Sequence, residues 1–213
     1  MTPSSRFRKT GASRWWIASA ALLGLTAGGK YVYAVAGLAI LADGCLALRP
    51  GAPGRLAPAR SLLLWGAGSL LVFFAATPYF WPDPLARLEG SVLYLAAFQA
   101  GSEVREASFP FWQPLAWLTL YMPYDAGAER PYLIRIDPLI TALACVGFAR
   151  AWRRDRVYAL WLAIALAFLL LWKTKWPHYV PILSAPLCLC AARGVEMLWA
   201  VPLRILRARR AAA

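Results

Sequence analysis

The chain has 213 residues, of which 61% are hydrophobic and only 15% charged, and its mean hydropathy is +0.52. A soluble domain needs a mostly polar surface, so this balance excludes an ordinary soluble fold and points to a polytopic membrane protein. The formal charge of +13 does not argue for nucleic acid, because the arginines cluster between apolar runs and form no stripe along a soluble helix.

A basic arm, 1–14, carries Arg6, Arg8, Lys9 and Arg14 and precedes an apolar run over 15–29. Its layout is that of a signal peptide, but no hydrophilic mature domain follows, so an uncleaved first span is expected. Gly28 and Gly29 ahead of Lys30 permit either a tight hairpin or one broken helix leading into the run 31–48. The stretch from Arg49 to Arg60, rich in Pro and Gly, is a plain linker before the run 61–78.

The segment 79–132 is less uniformly apolar. Within it Pro84 opens a helix in which Leu85, Leu88, Val92, Leu95 and Phe98 share one face while Arg87, Ser91 and Gln99 face away. That is the pattern of a helix lying in a membrane interface. The piece 109–123 is apolar but too short to cross, and Pro110, Pro114 and Pro123 interrupt it, so it is expected to be interfacial or re-entrant.

Three further apolar runs, 133–152, 157–172 and 179–201, lead to a basic tail over 202–213. The expectation is an all-α transmembrane bundle of about six spans in a single domain. Basic residues concentrate in the N-terminal arm, at Arg49, Arg55 and Arg60, at Arg150, Arg153, Arg154 and Arg156, and at Arg204, Arg207, Arg209 and Arg210. With six spans all four clusters fall on one side, which the positive-inside rule makes cytoplasmic, together with both termini, beside the anionic lipids of that leaflet. A bacterial inner membrane is the expected location.

The opposite side receives Lys30, the segment 79–132 and the turn Lys173-Thr-Lys-Trp-Pro-His-Tyr-Val-Pro. Two lysines there run against the inside bias, and with the only histidine of the protein they form a place where an anionic headgroup can be held. The simpler account has the lysines snorkelling at a helix end, with Trp172, Trp176 and Tyr179 as an aromatic belt and His178 bonded to backbone. Asp83, between Pro82 and Pro84, has the setting of a helix cap and is also the first carboxylate to consider for a substrate contact, followed by Glu103 and Glu106.

Asp43 and Asp137 lie within or at the edge of expected spans, where an ionisable group is costly. Asp43 is expected to reach the arginines at 49 and beyond, Asp137 to mark the start of a span, and Glu196 to pair with Arg193 one turn back. Cys45, Cys145, Cys188 and Cys190 sit in apolar runs without metal-site spacing, and Cys188 and Cys190 point to different faces. Neither a metal nor a cofactor is expected.

Three segments resemble the polyprenyl-phosphate-sugar-dependent glycosyltransferases of the GT-C superfamily, which includes protein O-mannosyltransferases and the aminoarabinose transferases of lipid A. Leu22-Leu-Gly-Leu-Thr-Ala-Gly-Gly-Lys-Tyr31 is similar to a small-residue helix ending in a Lys-Tyr pair. Pro78-Tyr-Phe-Trp-Pro-Asp-Pro-Leu-Ala-Arg-Leu88 is similar to the aromatic and proline stretch that leads into a juxtamembrane helix. Lys175-Trp-Pro-His-Tyr-Val-Pro-Ile-Leu-Ser-Ala-Pro186 is similar to a late span with a basic residue, an aromatic and spaced prolines. The order of the three maps onto the later half of a typical member, from a middle span to the last spans.

The resemblance implies transfer of a sugar from a polyprenyl-phosphate donor to a protein or lipid acceptor, as in protein glycosylation by mannosyltransferase-like enzymes. Such transfer needs a carboxylate base and cations on the leaving phosphate. Lys173, Lys175, His178, Tyr179, Lys30, Asp83 and Arg87 are the expected substrate-binding set, with Arg105 as a further cation. The family's acidic pair in the first outer loop is absent, since the first turn here is Gly28-Gly29-Lys30. The chain is therefore expected to be a fragment, a truncated reading frame or a divergent member, with the base on a second polypeptide. A non-catalytic assembly partner is the main alternative, and a transporter half is disfavoured because the runs lack a polar face.

Overall fold

A computed structural model describes residues 13–47, 56–106, 109–119 and 137–212, all of whose regular elements are helical. Helix α1 (Ser13–Gly29) ends at the glycine pair, and a 3₁₀ turn over Tyr31–Ala34 leads into α2 (Val35–Ala47). The glycine pair thus closes a tight hairpin, the first of the two geometries its sequence permits. Helix α3 (Leu56–Ala76) is followed by a 3₁₀ turn, Pro78–Phe80, and by α4 (Pro84–Ala100). Two short helices follow, α5 (Ser102–Glu106) and α6 (Gln113–Thr119). The bundle is completed by α7 (Asp137–Arg154), α8 (Arg156–Leu171) and, after a 3₁₀ segment over Pro177–Leu183, α9 (Ser184–Ala212).

Contacts fix the helix directions. α1 and α3 run parallel: the Trp16 indole N–H donates to Ser61 O at 3.0 Å near their starts, and Gly28 faces Thr77 at their ends. α2 returns alongside this pair, bringing Gly37 to Leu23 and Gly44 to Leu62. α8 is antiparallel to α2, with Arg156 at its start bonded to Asp43 near the end of α2. α7 and α9 run parallel, Thr141 lining a cavity with Ser184 and Arg150 reaching Glu196. Helices α1, α2, α3, α7, α8 and α9 therefore alternate between an arginine end (Arg14, Arg60, Arg150 to Arg156) and a Lys30 end (Lys30, Thr77 to Pro84, Asp137, Trp172 to Pro177).

Small residues set how closely these helices approach. Ala20, Gly24 and Gly28 recur every fourth residue on α1, and a Cβ on Gly24 would collide with the Ser69 carbonyl of α3. A Cβ on Gly147 of α7 would meet the Cys190 carbonyl, and one on Gly194 of α9 would meet that of Leu143, so the two backbones touch. α8 is the centre of the core, packing on α2, α6, α7 and α9 through Ala159, Ala165 and Leu169.

The outward faces are apolar too: Leu63 is 74% exposed, Leu71 72% and Leu171 83%. Among the described residues, two helical stretches, Ala59–Ala76 and Pro177–Ala200, are long and apolar enough to cross a membrane. Tyr31–Ala47 and Arg156–Leu171 are apolar but shorter. At 1.5 Å per residue the sixteen residues of α8 cover only about 24 Å.

The run 179–201 coincides with the apolar stretch Pro177–Ala200, whose first part is 3₁₀: Pro177 and Pro181 lack backbone N–H groups, and the chain runs as 3₁₀ to Leu183 before α9 begins. In the piece 109–123, of which 120–123 lie outside the described residues, α6 buries Pro114, Trp117 and Leu118 against α7, α8 and the Pro177–Leu183 segment. Asp43, near the end of α2, pairs with Arg156 at the start of α8. Arg49, Arg55, Asp125, Glu129 and Arg135 are likewise outside the described residues.

Candidate functional site

Lys175 is buried, although its neighbour Lys173 is exposed. Its ammonium donates to Leu169 O and Leu170 O, both at 2.9 Å, and to Trp172 O. These are carbonyls left without N–H partners where α8 stops, and a cation there also complements the helix dipole. An ammonium has three protons and all three are taken within the chain. Burial lowers the Lys175 pKa from the ordinary lysine value. Lys175 is thus placed as the cap of α8, and no donor remains on it for a ligand.

The other cations of the Lys30 end are arranged differently. Lys30 follows the Gly28-Gly29 stop of α1, and its ammonium lies 4.7 Å from the centroid of the Tyr179 ring. Beside Tyr179 the exposed His178 ring stands 4.5 Å away, edge on, and stacks on Trp176 at 5.9 Å. The Pro177–Leu183 segment presents these rings because its 3₁₀ geometry turns His178 outward while burying Pro177 and Val180. Lys30, His178 and Tyr179 are therefore brought together, with Lys173 a few residues away on the same turn.

Asp83 and Arg87 do not join this cluster through any contact described. The Asp83 carboxylate accepts the Ala86 N–H at 3.1 Å and caps α4, the bland role its Pro-flanked setting allows. The Arg87 guanidinium lies 4.8 Å from the Tyr79 ring. A strip of rings, Tyr31, Phe73, Phe80 and Tyr79 at successive centroid distances of 6.1, 5.4 and 5.3 Å, runs between Lys30's neighbour and Arg87. Arg105 turns back on its own chain and donates to Ala100 O at 3.0 Å. Glu103 and Glu106 belong to α5, and their side chains lie outside the described residues.

The turn after Lys30 and the segment carrying Tyr179 contribute Tyr33, Pro181 and Ile182 to a cavity of about 370 Å³ walled by α1, α2, α8 and the start of α9. Its lining is almost wholly apolar, including Leu22, Ile40, Trp161 and Ile182. Thr26 and Tyr33 connect it to the cation, because the Lys30 N–H donates to Thr26 O and the Lys30 carbonyl accepts from the Tyr33 N–H. A cation with an aromatic shelf over an apolar slot is a shape suited to an amphiphile with an anionic head.

The arginine end carries a second polar network. Buried Asp43 bonds to Arg156 Nε at 3.0 Å and sits 2.9 Å from its Nη2. Buried Asp155 pairs with Arg193, which also holds Glu196 at 2.5 Å, the pair expected from sequence, and Glu196 lies 3.5 Å from Arg150. Asp155 escaped the sequence reading although it stands alone inside the run Arg153-Arg154-Asp155-Arg156. A single acid among arginines at a helix junction is the signal that marks it. These groups tie α2, α7, α8 and α9 together, while Arg150 Nε finds no hydrogen-bond partner among the described residues.

Among the described residues no three His, Cys, Asp or Glu side chains come together as metal ligands. Comparison of the chain with protein-family models, with curated proteins and with solved structures finds no match.

Proposed function

We propose that the chain is a multi-pass membrane protein with six helical spans, its arginine end and both termini in the cytoplasm of a bacterium, its Lys30 end extracytoplasmic. In this reading it is the membrane portion of a GT-C-type glycosyltransferase, and the Lys30 end holds the phosphate of a polyprenyl-linked sugar. The carrying observation is the Lys30 ammonium on the Tyr179 ring, in segments whose Tyr33 and Pro181 line the apolar cavity. The ammonium would neutralise phosphate, His178 and Lys173 would add donors from the same turn, and the first isoprene units would lie between α1, α2 and α8.

Several features support the membrane setting. Apolar side chains cover the outer faces of the helices, which water disfavours and lipid does not. Close backbone crossings at Gly24, Gly147 and Gly194 are how helices associate where no hydrophobic drive separates them from solvent. The short helices α2 and α8 are accommodated by local thinning and by their flanking charged residues. α4, with Leu85 80% and Val92 58% exposed, is read as the interfacial helix.

One observation favours a second reading, a non-catalytic assembly partner: Asp83, the nearest outer carboxylate expected from sequence, caps its own helix. A base on another polypeptide reconciles this with sugar transfer. The test is photo-crosslinking of the membrane-embedded chain to a polyprenyl phosphate probe. Replacing both Lys30 and Lys173 with alanine is expected to lower crosslinking about tenfold or more, each charge-assisted bond being worth roughly 1.5–3 kcal/mol. Unchanged crosslinking would leave only the snorkelling account of these lysines.

A further inference from the structure

Where α4 leaves α3, the chain opens a groove of about 490 Å³ lined by Leu71, Phe74, Ala75, Phe80, Trp81 and Pro84. Every lining side chain is apolar apart from the Trp81 indole N–H, and that group already donates to Phe74 O at 2.9 Å. Leu71 and Trp81 are exposed, so the groove opens outward, towards hydrocarbon in the membrane setting. An occupant therefore finds no free side-chain hydrogen-bonding group there, a condition that an acyl chain meets. From Leu71 to Pro84 the lining passes from within α3 to beyond its end at Ala76, so a chain lying in it has its polar head at the start of α4.

That start carries two opposite charges with unused capacity. Asp83 and Arg87, both exposed, are one turn apart, yet they do not pair. The Asp83 carboxylate accepts the Ala86 N–H through Oδ1, and the Arg87 guanidinium lies against the Tyr79 ring. Among the described residues neither Asp83 Oδ2 nor any side-chain N–H of Arg87 has a hydrogen-bond partner. Glu89, also exposed, adds a second carboxylate to the stretch and disfavours a head of net negative charge. What fits is a head with both an anion and an N–H cation: a guanidinium matches phosphate oxygens, and a carboxylate matches an ammonium.

We propose that this groove holds an acyl chain of a glycerophospholipid with a primary-amine headgroup, its phosphate on Arg87 and its ammonium on Asp83. The leaflet, extracytoplasmic, rests on the membrane orientation proposed above, while the binding itself rests on neither sugar transfer nor the Lys30 cluster. The two sites fail separately, since loss of lipid at Arg87 leaves the polyprenyl crosslink at Lys30 and Lys173 untouched.

The whole chain in detergent is titrated with phosphatidylethanolamine, phosphatidylcholine and phosphatidylglycerol of identical acyl chains, and bound lipid is counted by native mass spectrometry. Phosphatidylethanolamine is expected to bind tightest, because trimethylation removes the N–H groups of phosphatidylcholine and phosphatidylglycerol has no cation. Arg87→Gln should weaken all three by about tenfold, the loss of a charge-assisted contact. Asp83→Asn keeps the helix cap, since Asn caps as well as Asp, and should bring phosphatidylethanolamine down to the phosphatidylcholine level without changing the latter. Ala75→Trp, at an exposed position, fills the groove and should weaken all three alike. Alanine at both Lys30 and Lys173 should change none of these values. Equal binding of phosphatidylethanolamine and phosphatidylcholine to the native chain, a preference that survives Asp83→Asn, or an Arg87→Gln variant that binds normally would each overturn the proposal. So would loss of the lipid from the Lys30 and Lys173 double variant, which would assign it to that cluster, or a lipid-free dimer, which would give the groove to a second copy.

Discussion

Lys173 and Lys175 are two residues apart, and their surroundings give them opposite tasks. Lys175→Met keeps the apolar stem but strands the carbonyls of Leu169, Leu170 and Trp172, so it is expected to cost about 2–3 kcal/mol, read as a fall in thermal midpoint in detergent. Lys173→Met, at an exposed position, should change stability by no more than about 0.5 kcal/mol. A drop of similar size in both would show that Lys175 is not the cap. The sequence marks both as outer cations and cannot separate them, because which one folds back depends on the path of the turn after α8. The capping role of Asp83 was legible, since Asp before Pro is a local signal. The pairing of Asp43 with Arg156, 113 residues apart, was not.

Helix packing rests on glycines and on buried charge. Gly147→Leu puts a side chain into the backbone of α9 and is expected to destabilise the bundle by about 3 kcal/mol, whereas Gly66→Leu on α3, where a Cβ meets nothing within 4 Å, should be nearly neutral. Equal effects would contradict the close α7–α9 crossing. Asp155→Asn leaves Arg193 without its buried partner and should cost about 3 kcal/mol, with the double variant Asp155→Asn and Arg193→Met recovering part of that loss. Apolar run lengths located the long helices to within a few residues except at the end of α9, which runs on through the basic tail to Ala212, and Pro84 located the start of α4. What run lengths do not carry is the break in 179–201. Its prolines are visible in the sequence, but proline at a helix start is also compatible with a regular first turn, and only the packing of Val180 and Ile182 on α6 and α8 selects 3₁₀ geometry.

For the molecule as a whole, the alternation of helix direction gathers arginines at one end and the Lys30 cluster at the other. The arginine pattern was readable because charge asymmetry is a property of the chain in order. The cavities were not, since each is built from three or more elements that meet only in the folded bundle. The account stands or falls on the two ends lying on opposite sides of a bilayer. Single cysteines at Lys173 and at Arg154, introduced one at a time with the native cysteines replaced, can be challenged in sealed inverted vesicles with an impermeant maleimide. The account predicts modification at 154 before lysis and at 173 only after the vesicles are opened. Modification of both positions before lysis would contradict it.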